Sequence, residues 1–107
     1  MIIHQPELLK HNDDIIVHAR IELGQPQANF PEHLWYKIPE RYSEYISLQS
    51  DPFVIPGLLA GMYLQEEIEV RGPVSPRLAY NLAEYQHLLN LRFPKTLSPV
   101  EINYTQL

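Results

Sequence analysis

From Ile15 to Leu23 the chain alternates strictly: Ile15, Val17, Ala19, Ile21 and Leu23 fall on one side, and Ile16, His18, Arg20 and Glu22 on the other. A period of two is that of a strand with one buried and one wet face. A second alternation runs from His33 to Pro39 through Leu34, Tyr36 and Ile38. The stretch between them, Gly24 to Pro31, holds Pro26, Asn29 and Pro31 and reads as loop. Too few residues intervene for a helical crossover, so the two strands are expected to pair antiparallel as a long-looped hairpin. Glu40-Arg41-Tyr42-Ser43-Glu44-Tyr45 is polar and aromatic together and reads either as a helical turn or as the rim of the sheet. Met1 to Asn12 carries Leu8 and Leu9 without a sustained period, a less regular lead into a core expected over residues 13–104.

Beyond Ser50 the period changes. Ser50 or Asp51 is placed to cap free amides, Pro52 suits the first helical position, and Phe53, Val54, Ile55, Leu58, Leu59, Met62 and Tyr63 follow, a buried helix to about Leu64. Pro56 lies near enough to its start to be tolerated, while Gly57 and Gly61 imply close approach of a neighbouring element. Glu66 to Arg71 alternates as a short strand ended by Gly72-Pro73. Ser75 then caps a helix that opens on Pro76 and carries Leu78, Leu82, Tyr85 and Leu89 to Arg92. Pro94 stops it, and Val100, Ile102 and Tyr104 alternate in a last strand. The expected fold is one small α/β or α+β domain, 1–107, in the order β-β-α-β-α-β. Its mixed sheet carries two packed helices, with the last two strands parallel.

At 107 residues and 45% apolar, the chain supports one hydrophobic core rather than two. Thirteen acidic against eight basic residues give a net charge of -5, which repels a phosphate backbone and argues against nucleic acid as a general ligand. The absence of cysteine removes disulfides, thiolate metal sites and cysteine nucleophiles together, and a reducing cytoplasm is the expected compartment. The start lacks the regions of a signal peptide, and the longest apolar stretch, Phe53 to Leu64, falls short of the roughly 20 residues of a membrane helix. No membrane partner is expected.

The five histidines carry no metal-ligand spacing, since His4, His11 and His18 stand seven apart and no H-E-x-x-H occurs. His33 and His87 are expected to pair with carboxylates or carbonyls. None of Ser43, Ser47, Ser50, Ser75 or Ser98 sits in a nucleophile elbow, and capping accounts for Ser50 and Ser75. Asp13-Asp14 and Glu66-Glu67 read as solubilising edge charge. No catalytic residue, metal or cofactor is expected. The remaining candidate is Gly72-Pro73-Val74-Ser75-Pro76-Arg77, where a helix start, the Ser75 hydroxyl and Arg77 suit a small anion. A plain ion pair from Arg77 to Glu40 or Glu44 answers the same pattern and is the favoured reading. Trp35, Tyr36 and Tyr45 combine area with a polar handle and suit an interface, although Trp35 fits the core equally well.

Several stretches together resemble a known arrangement: Leu34-Trp35-Tyr36-Lys37-Ile38 with Arg41-Tyr42, Ser50-Asp51-Pro52-Phe53, Glu69 to Leu78, Asn81-Leu82 and Pro99-Val100-Glu101-Ile102. The chain is similar, from about Ile15 to Ile102, to the N-terminal domain that precedes a PP-loop ATP pyrophosphatase domain in bacterial proteins related to asparagine synthase and 7-cyano-7-deazaguanine synthase. Val70 to Leu78 is the most specific stretch. The nucleotide loop S-G-G-x-D-S of such proteins is absent from all 107 residues, so ATP activation is not expected of this chain. The resemblance implies a non-catalytic accessory domain whose partner is a C-terminal or separately encoded PP-loop domain. Arg41, Tyr42, Asp51, Ser75 and Arg77 are then the positions expected to meet that partner or its anionic substrate. The rival readings are a homo-oligomer with a self-complementary Trp35 and Tyr36 surface, and a small enzyme with a polar cleft gathering Arg41, Asp51 and Arg77.

Overall fold

The computed structural model describes every residue from Met1 to Leu107. Its elements are β1 (Ile2–Ile3), β2 (Glu7–His11), β3 (Asp14–Glu22), β4 (His33–Pro39), a 3-10 helix (Glu40–Tyr45), α1 (Asp51–Leu64), β5 (Ile68–Pro73), α2 (Pro76–Arg92) and β6 (Ile102–Gln106). The six strands form one mixed sheet, so the chain is an α+β domain of the expected order with two further strands at its start. The alternating stretches became β3 and β4, antiparallel from Asp14↔Pro39 to Arg20↔His33, and β5 and β6 lie parallel. Between β4 and α1 the mixed aromatic stretch is a helical turn rather than sheet rim.

The lead segment is more regular than its composition implies. Asn12 takes a left-handed φ of 56°, which lets β2 turn back onto β3 from His11↔Asp14 to Glu7↔His18. After the break around Pro6, β1 pairs with the far end of β3 through Ile2↔Glu22 and Ile3↔Ile21, and joins β5 in parallel. Thus β4 runs along one side of β3, and β2 followed by β1 along the other.

One core cluster joins the sheet to both helices. Ile3, Val17, Ala19, Ile21, Ile68 and Val70 meet Phe53, Val54, Leu58, Met62 and Leu82, all at most 5% exposed. The two glycines of α1 permit this contact. A Cβ on Gly57 would stand 2.5 Å from Cδ1 of Ile3, and one on Gly61 would stand 2.6 Å from Cδ1 of Ile68. The opposite face of the sheet is uncovered and carries Ile16, His18 and Arg20 of β3, Trp35 and Lys37 of β4, and Glu69 and Arg71 of β5.

Pro56 cannot donate to the carbonyl four residues before it. That freed carbonyl, on Pro52, accepts the Tyr36 hydroxyl at 2.7 Å, and the Tyr36 ring stands 5.4 Å from that of Phe53. The break in the α1 hydrogen-bond ladder is thereby used to fasten β4 to the helix.

Candidate functional site

Asp51 and Ser75 are brought together. Each stands at the start of its helix, and the Asp51 carboxylate receives the Ser75 amide at 2.9 Å and the Ser75 hydroxyl at 2.6 Å. The same hydroxyl accepts the Leu78 amide at 3.2 Å, so Ser75 caps α2 as expected and Asp51 supplies the anion that the helix start favours. An external anion at this position meets a carboxylate already bound. With the serine oxygen accepting one amide and donating to Asp51, and no histidine in the contact, the pair is a clamp between helix ends rather than an activated nucleophile.

Ser50 does not cap α1 through its side chain. Its carbonyl receives the Phe53 and Val54 amides and its own amide donates to Pro73. The hydroxyl is fully buried without a hydrogen-bond partner, lodged against Gly72, whose missing Cβ leaves the room. Arg77 is exposed and pairs with neither Glu40 nor Glu44; Glu40 is instead held by Lys10 at 2.9 Å. Arg41 lies over the Tyr42 ring at 5.0 Å, on the 3-10 helix. No hydrogen bond or ion pair joins Arg41, Asp51 and Arg77; Asp51 bonds Ser75 instead.

Trp35 is 60% exposed, which removes it from the core. Strand alternation also separates it from Tyr36: Trp35 lies with His18 on the uncovered face, and Tyr36 with Val17 on the helix side. There Tyr36, Tyr42, Tyr45, Ile38, Ile46 and Pro52 line a groove of about 510 Å³. A second groove of about 320 Å³ is wholly apolar and lies between the helices, lined by Ile55, Leu58, Leu59, Tyr85 and Leu89. Tyr63, Leu88 and Leu91 are further exposed side chains of the same two helices.

The histidines hold no ligand set. His18 and His33 stand 5.9 Å apart by ring centroid, and His4 lies 3.6 Å from Glu22, but no group of three or more potential ligands converges on a metal position. Glu66 is more than edge charge. Its carboxylate meets the Met1 ammonium at 2.9 Å and the Gly24 amide at 2.8 Å, and also receives the Gln25 amide. Burial pushes this carboxyl up, but the two amides and the ammonium outweigh burial and hold it below its ordinary value. Burial alone raises the Tyr104 phenol. No helix is long and apolar enough to cross a membrane.

Comparisons with protein-family models, curated proteins and solved structures find no match to this chain. The site therefore rests on its geometry, which offers apolar grooves and a clamped helix junction rather than a polar cleft.

The accessible surface is also larger than a monomer of this mass usually presents. A monomeric protein of 12.5 kDa presents roughly 6,200 Å² to solvent. This chain presents 7229 Å², an excess of roughly 1,000 Å². Sixteen large apolar side chains are exposed, against fourteen apolar residues in the core. A standard protein interface covers about 800 Å² on each partner.

Proposed function

We propose that this chain is a non-catalytic interaction domain, and that the groove between α1 and α2 receives a neighbouring PP-loop ATP pyrophosphatase domain. The exposed apolar side chains of the two helices support this reading most directly: Ile55, Leu59 and Tyr63 on α1 and Tyr85, Leu88 and Leu91 on α2 are open to solvent, and the groove between the helices is lined by apolar residues alone. The choice of partner comes from the sequence resemblance. Ile55, Leu59 and Tyr85 are the expected anchors, since they line a depression without charged groups. Asp51 and Ser75 have a structural part in it. By clamping the two helix starts they hold both walls of the groove.

The test is to co-purify the chain with the PP-loop domain encoded in the same reading frame or beside it, and to titrate the two by calorimetry. A one-to-one complex is expected, weakened at least about ten-fold by Leu59→Glu and left intact by Arg77→Ala. A reading frame and neighbourhood without a PP-loop domain, or a domain that does not bind, would remove the accessory role.

A further inference from the structure

The outer edge of β4 is open. This strand pairs with β3 alone. Ile21 donates to the Glu32 carbonyl at 2.7 Å and Glu40 donates to the Asp13 carbonyl at 2.9 Å, which places the even-numbered residues of this stretch toward β3. Antiparallel ladders alternate, so the amides and carbonyls of His33, Trp35 and Lys37 point away from the sheet. No hydrogen bond from elsewhere in the chain reaches them. An edge of seven residues with Leu34, Trp35, Tyr36 and Ile38 along it is a template for another strand.

We propose that this edge pairs antiparallel with the same edge of a second copy of the chain, with the two-fold axis at Tyr36. Hydrogen bonds form only in registers that set outward-facing residues opposite one another, and charge chooses among the three centred on the middle of the strand. Centring on Lys37 sets ammonium against ammonium. Centring on Trp35 sets Lys37 opposite His33. Centring on Tyr36 sets each Lys37 opposite the partner's Trp35, a cation beside an indole on the uncovered face. It also sets Leu34 opposite the partner's Ile38 and the two Tyr36 rings together on the helix side. Each Trp35 and Lys37 pair then exchanges two N–H···O bonds. Asp14, 3.4 Å from the Lys37 ammonium, steadies that side chain on the face where it is needed.

The other edges fit a second copy less well. β6 offers Asn103, Thr105 and Gln106, and joining it to β4 would be a head-to-tail contact that continues into a filament. β2 is exposed throughout and carries Glu7, Lys10 and His11. The β4 seam is closed by symmetry and lies away from the groove between the helices, so it does not depend on the PP-loop reading.

Sedimentation equilibrium of the full chain from about 1 μM to about 1 mM tests the seam. A dimer with a midpoint of tens of μM is expected. Lys37→Pro removes an outward amide and no bond to β3, and an edge strand accepts proline there. Lys37→Pro and Trp35→Glu should each raise the dissociation constant at least about ten-fold, with far-UV circular dichroism unchanged. Tyr63→Glu, on α1, should leave it unaltered. If Lys37→Pro unfolds the chain, Trp35→Glu decides alone. A wild-type monomer at every concentration would overturn the seam, including the case in which β4 takes a strand from a different protein. So would a dimer that Tyr63→Glu breaks and Trp35→Glu leaves whole.

Discussion

The block made by β1, β5 and α1 and the ribbon made by β2, β3 and β4 are built from similar shares of apolar residues and end in opposite states. In the block, Ile3, Phe53, Val54, Met62 and Val70 are at 0% exposure. In the ribbon, β2 and β4 contain no buried residue, and β3 is buried only at Val17, Ala19 and Ile21. The cause is coverage. Helix α1 approaches β1 and β5 closely because Gly57 and Gly61 let it, whereas the ribbon reaches the core only through Val17, Ala19 and Ile21 on one face of β3, and β4 meets the helix through Tyr36. The block holds the core, and β2 and β4 of the ribbon stay exposed.

Truncation separates the two most sharply. Phe53→Ala should cost about 3–5 kcal/mol, because it empties a fully buried site, while Trp35→Ala should stay within about 0.5 kcal/mol in dilute monomer. Urea melts of both variants measure the contrast. A residue of β2 or β4 costing as much as Phe53 would erase it.

Glu66 fastens the loop after β3 to the block, and Glu66→Gln should cost about 1–2 kcal/mol. Its folded pKa lies below the unfolded value of about 4.3, so its stabilisation is full above that pH and is lost as pH falls through the folded value. Melts of wild type between about pH 7 and pH 3 should lose this contribution and those of Glu66→Gln should not. Gly57→Ala comes next. The added methyl meets Ile3, and about 1–2 kcal/mol should be lost in spite of alanine's better helix propensity.

The two helix-start serines should respond with opposite signs. Ser75→Ala removes a cap and a bond to Asp51, costing about 1 kcal/mol, whereas Ser50→Ala removes a buried hydroxyl without a partner and should be neutral or stabilising by up to about 1 kcal/mol. Thermal melts of the pair read the signs directly.

Local chemistry made much of this fold legible. Strict alternation located β3 and β4, the Ser-Pro start located α2, and the paired glycines pointed to a tight helix-sheet contact. β1 and β2 were hidden because neither has a period of its own: one is two residues long, the other is exposed on both faces, and a turn at Asn12 and a break near Pro6 divide them. Asn12-Asp13 between two short runs was the available turn signal. At the site, the resemblance grouped Asp51 and Ser75 only as polar positions, and nothing in the sequence tells that the Asp51 carboxylate bonds Ser75 and takes the seat of an external anion. Nor could composition separate Trp35 as core from Trp35 as surface. That depended on which strands the helices cover.

Residue-resolved amide exchange at low and high protein concentration tests this division most directly. The account predicts that the Trp35 and Lys37 amides exchange freely in dilute solution and gain protection as concentration rises, while the Ile3 and Val70 amides stay protected throughout. Protection of Trp35 and Lys37 already present in dilute monomer, or Ile3 and Val70 exchanging as fast as the ribbon, would contradict it.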